Sequence, residues 1–209
     1  MSNEQRQGPW IGMRAGEKFW PCDPRPEDVR LPYIASTLSM IPRFGGRTCR
    51  FYSVAQHCVW VARYMETRLP GSGIHGLLHD AAEAYVGDVI TPIKKLISLD
   101  VDGQKPWRFE QMEMRITEAI YLRLQLPMPQ PAEVSLLHEA DEMALAVEAR
   151  ELMGDPDWPG LRNADGYTLD AQTQWAFEVA ARQYEAQVVA MSRTCRHERR
   201  RRLGHNGGA

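Results

Sequence analysis

The stretch SVAQHCVWVARYMETRL, Ser53 to Leu69, decides the fold. Ser53 and Gln56 make an S-x-x-Q capping box, in which each side chain satisfies a backbone donor that a helix start leaves open. Val54, Cys58, Val61, Ala62 and Met65 then recur at helical spacing and form one apolar face. Upstream, YIASTLSMI (33–41) reads as a short helix that ends at the turn marked by Gly45-Gly46. Downstream, the spacing predicts a third helix over 73–86, stopped at Gly87 before the loop around Thr91-Pro92. A fourth helix over 107–125 carries Met112, Ile116, Ala119 and Ile120 on one face. Pro127, Pro129 and Pro131 separate it from a fifth over 132–153, which Gly154 stops. GDPDWPGLRNADG reads as loop, and a last helix is predicted over 168–192. Strand-type alternation is nearly absent, so the fold class is all-α, a bundle of about six helices.

Three segments follow from this reading. Residues 1–32 are an irregular N-terminal arm, because Pro21, Pro24 and Pro26 forbid a helix there. Residues 33–192 are the helical domain, and 193–209 a basic tail expected to be disordered. Residues 193–202 hold six arginines and one glutamate, a net +5, which leaves −7 on the rest of a chain whose formal total is −2. An acidic body argues against a broad nucleic-acid face, leaving only the tail for such a contact. At 209 residues the chain buries one sizeable core. It shows no apolar run long enough for a membrane span and no secretory signal at its start. Cys22, Cys49, Cys58 and Cys195 are scattered, which fits a reduced, cytoplasmic setting.

The chemistry is concentrated in LLHDAAEAYVGDV, Leu77 to Val89. His79, Asp80, Glu83 and Asp88 interrupt an apolar segment, and burying unpaired charge is costly. On a helix His79 and Asp80 are neighbours and Glu83 lies one turn on. His57 sits on the apolar face of its own helix, and Asp141 falls between Leu137 and Leu145 on the fifth. A buried aspartate needs a partner, an arginine such as Arg115 or Arg150, or else a cation. One divalent ion would satisfy His57, His79, Asp80 and Asp141 together. Their mixed nitrogen and oxygen set suits Mn, Co, Fe or Zn more than Ca.

The order H … HD … D on three predicted helices resembles the HD-domain superfamily of metal-dependent phosphohydrolases. The run HDAAEAYVGDVITPIKK is similar to its 5′-deoxynucleotidase branch, through the H-D-x-x-E, G-D and T-P-x-K elements. Arg43-Phe44 stand where that branch has an arginine and an aromatic, and the resemblance covers roughly 38–150. It implies His57, His79, Asp80 and Asp141 as ligands of one metal (Co, Mn, Zn, Fe or Mg). It implies Glu83 as the general acid/base and Asp88 as the group orienting the attacking water. Arg43, Phe44, Thr91, Lys94 and Lys95 are the implied substrate contacts. Only four lysines occur in the chain, so the pair at 94 and 95 stands out. Where that branch carries a tryptophan this chain has Phe44, a departure that implies either a looser choice of sugar or a different packing role.

The implied activity is release of phosphate from small nucleotides, deoxynucleoside 5′-monophosphates first, by attack of metal-bound water. The alternatives are a deoxynucleoside triphosphate triphosphohydrolase, an alarmone hydrolase, or an idle metal-binding regulatory module. The partner is a small phosphorylated substrate, with no membrane contact, and helical proteins of this kind often pair as homodimers. His75, at i−4 from His79, is read as a helix-surface or supporting residue, and His138 as a supporting one. Trp20, Trp60, Trp107 and Trp175 are read as core or interface aromatics, and Met112 and Met114 as core filling.

Overall fold

The computed structural model describes residues 6–100, 107–154, 164, 166–169 and 177–205. They form an all-α bundle with two short hairpins and no closed sheet. The N-terminal arm contains one hairpin, β1 (Ile11–Gly12) antiparallel to β2 (Lys18–Phe19). This arm is tied to the body. Arg6 donates to the two carboxylate oxygens of Asp28 at 2.8 and 2.7 Å, and buried Phe19 stacks on Tyr85 with ring centroids 3.9 Å apart.

The helices are α1 (Leu31–Leu38), α2 (Val54–Arg68), α3 (Gly73–Leu78), α4 (Glu83–Val86) and α5 (Thr91–Lys94). They continue as α6 (Phe109–Leu124), α7 (Pro131–Glu148) and α8 (Phe177–His205). The second hairpin pairs β3 (Ser98–Leu99) with β4 (Trp107–Arg108) ahead of α6. The capping box forms as its sequence requires: Ser53 N donates to Gln56 Oε1 at 3.0 Å, and Gln56 N donates to Ser53 Oγ at 3.3 Å. No helix among the described residues is long and apolar enough to cross a membrane.

Two elements differ from the sequence expectation. The predicted helix over 73–86 is broken at residues 79–82, between α3 and α4. There the amides reach back three residues, Ala81 N to Leu78 O at 3.1 Å and Glu83 N to Asp80 O at 3.0 Å, a tightened 3₁₀-like turn. The Gly76 carbonyl accepts from His79 Nδ1 at 2.8 Å, and such side-chain bonds compete with the helical ladder.

The second difference is the basic segment, expected to be disordered from 193 but helical through His205 as the end of α8. Arginine is a good helix former, and this stretch has a buried side. Ser192 and Cys195 are buried, and Arg196 donates to the Leu124 carbonyl at 3.4 Å. Residues 170–176, the start expected for this helix, and the end of the tail at 206–209 lie outside the described residues, as does Trp175.

The core is organised by close approach of α2 and α3. A Cβ on Gly76 would stand 2.7 Å from Ala62 Cα and 2.8 Å from Ala62 N, so only glycine lets the two backbones meet there. Helix α8 crosses them, and the hydroxyl of fully buried Tyr184 donates to the Leu77 carbonyl at 2.7 Å. On the other side α7 lays Ala140 and Ala144 against Val61, Tyr64 and Met65 of α2. Helices α2 and α3 are thereby brought together with α7 and α8 from the far end of the chain.

Candidate metal centre and cleft

His57 projects from α2, fully buried, and His79 from the end of α3; their Nε2 atoms lie 3.2 Å apart. The Gly76 carbonyl is an acceptor only, so His79 Nδ1 carries a proton and a neutral His79 has its lone pair on Nε2. Against the effect of burial, Asp80 and Cys58 hold this imidazole well above its usual pKa, so a second proton on Nε2 competes with a cation for the spot. His57 Nδ1 is held at 2.7 Å by Glu148 Oε1, which orients its Nε2 toward the same spot. Two carboxylates flank the pair. Asp80 Oδ2 is 3.2 Å from His79 Nε2 and 3.7 Å from His57 Nε2. Asp141 Oδ1 is 3.1 Å from His57 Nε2 and 3.9 Å from His79 Nε2.

Such a crowd of acceptor atoms is repulsive unless a proton or a cation sits among them. Bonds of about 2.0–2.2 Å to one metal would place neighbouring donors about 3.0–3.6 Å apart. The separations found, 3.1 to 3.9 Å, fit that requirement with little adjustment. His57, His79 and Asp141 therefore form a candidate metal-ligand group, with Asp80 against both imidazoles. A second triad shares His79 and Asp80 with Cys58, but burial pushes the Cys58 thiol up to about 11, so it enters as a neutral and weaker donor. Burial alone would raise the Asp80 carboxyl; the charges of His79, His57 and Arg43 hold it far below the usual carboxylate range. Asp141 corrects one expectation, since its side chain is 47% exposed rather than buried. The buried stripe of α7 runs through Ala140, Ala144 and Val147, which sets Asp141 at its solvent edge.

Sequence reasoning missed Glu148. It is fully buried and serves two partners, His57 Nδ1 at 2.7 Å and Arg43 Nε at 3.1 Å. Burial works against its charge, yet Arg43 and His57 hold its carboxyl below the usual range. The available signal was its spacing, seven residues after Asp141 and so on nearly the same helical face. Arg43, expected on a phosphate, is committed largely to carboxylates: Nε to Glu148 and Nη1 3.8 Å from Asp80. Phe44 beside it has a left-handed backbone, φ 54°, and its ring lies 5.7 Å from the Arg43 guanidinium carbon. Arg115 and Arg150, the alternative partners for Asp141, are engaged elsewhere. Arg115 stacks on Trp107 and Arg150 bonds the carbonyls of Ala164 and Tyr167.

From this centre a cleft of about 350 Å³ opens between the 79–83 turn, α5, α6 and the start of α7. His79, Asp80 and Glu83 line it on the side of the metal centre, while Met114, Met128, Pro129, Val134 and Leu137 supply apolar wall. Glu83 is 5% exposed, and its Oε2 has no hydrogen-bond partner within the protein. Burial, and then the charges of Asp80 and Asp88, push its carboxyl well above the usual range. Lys94 lines the same cleft and donates to Glu113 Oε1 at 2.8 Å. Asp88 is half-buried, within the electrostatic reach of Arg43, Asp80 and Lys94. Thr91 and Lys95 are exposed and are not among the side chains lining the cleft.

His138 lies exposed at the cleft wall rather than behind a ligand. His75 is neither on the helix surface nor on the metal donors. It is buried, with Nδ1 2.9 Å from Tyr121 Oη and Nε2 3.4 Å from Glu133 Oε2. Trp60 packs between Tyr64 and Tyr167, and Trp20 lies under Arg6. Met114 is exposed at the cleft rather than core filling, whereas Met112 is buried.

No family model matches the chain. It is 32% identical over 152 residues to an uncharacterized protein of Rhodobacter capsulatus, covering 69% of this chain and 74% of that protein. It is also 32% identical over 149 residues to the uncharacterized protein YfdR of Escherichia coli K12, covering 70% of this chain and 75% of YfdR. The likeness in each case spans most of both chains, and this protein belongs to one family with the Rhodobacter capsulatus protein and YfdR.

Proposed function

We propose that this protein is a metal-dependent phosphohydrolase of the HD-domain type that releases phosphate from small nucleotides, deoxynucleoside 5′-monophosphates first. The observation that carries the reading is the unpartnered, buried carboxylate oxygen of Glu83, which lines a cleft that also contains the His79-Asp80 donors and Lys94. A binding module has no use for such an oxygen, which is costly to bury without a partner.

When bound between the imidazoles and carboxylates, a divalent ion supplies Lewis acidity to a phosphoryl oxygen and lowers the pKa of a coordinated water. The mixed donor set suits Mn, Co, Fe or Zn. The remaining tasks fall to the chain. Glu148 and the Gly76 carbonyl fix the tautomers of His57 and His79, so both Nε2 lone pairs point inward. Arg43 balances the carboxylates of Glu148 and Asp80. Lys94 offers its remaining N–H groups to the phosphate. Water oxygen bonds to phosphorus as the ester P–O bond breaks; Glu83 relays a proton to the departing alkoxide, and Asp88 orients the water. Nucleoside and sugar lie along the apolar wall of Met114, Met128 and Leu137.

The acidic lining favours one phosphate over three. Glu110 and Glu113 line the cleft against Lys94 alone among lysines and arginines, so each added phosphate meets repulsion. The test is a phosphate-release panel over deoxy- and ribonucleoside mono-, di- and triphosphates with Mn, Co, Zn and Mg. Release from several deoxynucleoside monophosphates is expected. Metal bound with no turnover on any of them refutes the reading. Glu83→Gln should lower kcat by about 10²-fold or more while metal content stays unchanged.

A further inference from the structure

Lys94 and Glu113 meet on the cleft wall in a pairing that the reading above leaves unexplained. The ammonium at the end of α5 donates to the α6 carboxylate at 2.8 Å, and both side chains are under 20% exposed. The chain's other described cleft-lining charges are carboxylates or histidines, so this ammonium is the cleft's principal cation. A lysine there that served only to attract phosphate would be stronger without a carboxylate beside it. Pairing instead cancels much of its charge while leaving two of its three N–H groups for another acceptor.

Resting on the phosphohydrolase reading, we infer that Glu113 sets the charge selectivity of the cleft: it aims the Lys94 ammonium inward and, by its own negative charge, restricts entry to ligands carrying a single phosphate. The geometry separates two roles that a bare lysine would merge. Direction comes from the short bond across α5 and α6, which fixes a side chain otherwise rich in rotamers. Discrimination comes from the carboxylate itself. It lines the same cleft as Glu110, where a second or third phosphate would lie beside it. A monophosphate, whose charge is spent on the metal donors' side of the cleft, is affected least. Glu113 is thus a positioning residue acting through Lys94, with no contact of its own to the reacting atoms.

The experiment uses the metal-loaded full chain as wild type, Glu113→Gln and Glu113→Asp, with two readouts. The first is calorimetric binding of inorganic phosphate; the second is kcat/KM for dAMP and dATP. The glutamine variant keeps an acceptor for Lys94 but removes the charge. It is expected to bind phosphate about five- to tenfold more tightly and to raise the dATP/dAMP ratio of kcat/KM by about tenfold or more. The aspartate variant, which restores the charge, should return the ratio toward wild type. Equal weakening toward both nucleotides, or no change in either readout, overturns the inference and leaves Glu113 a packing partner. If the wild type hydrolyses neither nucleotide, the phosphohydrolase reading fails on its own; tighter phosphate binding by Glu113→Gln then still upholds the role of Glu113, and unchanged or absent phosphate binding ends it.

Discussion

Removing Glu148 should damage the candidate centre from behind, without touching any metal donor. In Glu148→Ala the Arg43 guanidinium, 12% exposed, loses the carboxylate 3.1 Å away and keeps Asp80 at 3.8 Å, with Asp141 and Asp88 farther off. Breaking one side of a buried ion pair costs about 3–5 kcal/mol. His57 Nδ1–H loses its acceptor as well, an orphaned buried donor worth about 1–3 kcal/mol. The two losses share one side chain and do not add in full, so a destabilisation of about 4 kcal/mol is expected. Glu148→Gln keeps an amide oxygen for His57 and removes only the charge, for about 1.5–3 kcal/mol. Urea denaturation of the metal-free chain reads these values. Metal titration of the same variants should show affinity reduced about 10–100-fold, because the orientation of the His57 ring and the basicity of its Nε2 both depend on this carboxylate. Wild-type metal affinity in Glu148→Gln, with stability within about 0.5 kcal/mol of the parent, would refute the assignment. A double-mutant cycle with Arg43→Met sharpens it: the pair removed together should cost less than Glu148→Ala alone, since no unpaired buried charge remains.

Gly76→Ala should push α3 off α2, because its Cβ would lie 2.7 Å from Ala62 Cα; overpacking of about 1–3 kcal/mol outweighs the roughly 1 kcal/mol by which alanine favours a helix. Since His57 and His79 ride on those two helices, metal affinity measured by titration should fall along with the denaturation midpoint. Chelation should lower thermal stability reversibly: at metal concentrations about 100 times Kd, binding contributes about 2.7 kcal/mol, readable as a drop in Tm that re-added Mn or Zn restores. Truncation after Ser192 removes buried Cys195 and the Arg196 contact with Leu124, and should cost about 1–3 kcal/mol by urea denaturation rather than leaving stability unchanged as loss of a disordered tail would.

What could be read in the sequence is what local rules govern. The box at Ser53 and Gln56 is set within four residues, and α2 begins where it says. Gly154 ends the α7 segment with φ 68°, a backbone state that glycine adopts without strain. The candidate ligands His57, His79 and Asp80 stood out because each put polarity where periodicity called for apolar surface, and Asp141 stood out in the same way although its side chain lies at the solvent edge of α7. The opposite holds for the tail. Its composition alone argues for disorder, and only the buried side of Ser192 and Cys195, supplied by α6 and the loop before α3, makes the helix worthwhile to residue 205. The break at 79–82 was equally hidden, since the contact that accompanies it is one side chain turning back on one carbonyl.

Glu148 shows the deeper limit. A glutamate in a helix is ordinarily a solvated residue, and its spacing from Asp141 is the one local mark on this one. Its burial depends on Arg43, 105 positions away, and on His57, 91 positions away. Ligands announce themselves by interrupting an apolar pattern; the groups that aim those ligands do so only through partners that folding supplies. The same holds for Glu113, which reads as one more charge on the exposed side of α6 until Lys94 is seen 2.8 Å away. Under the proposed function, the supporting carboxylates Glu148 and Glu113 are therefore where substitutions should change metal affinity and the charge of the substrate admitted while the candidate ligands stay the same.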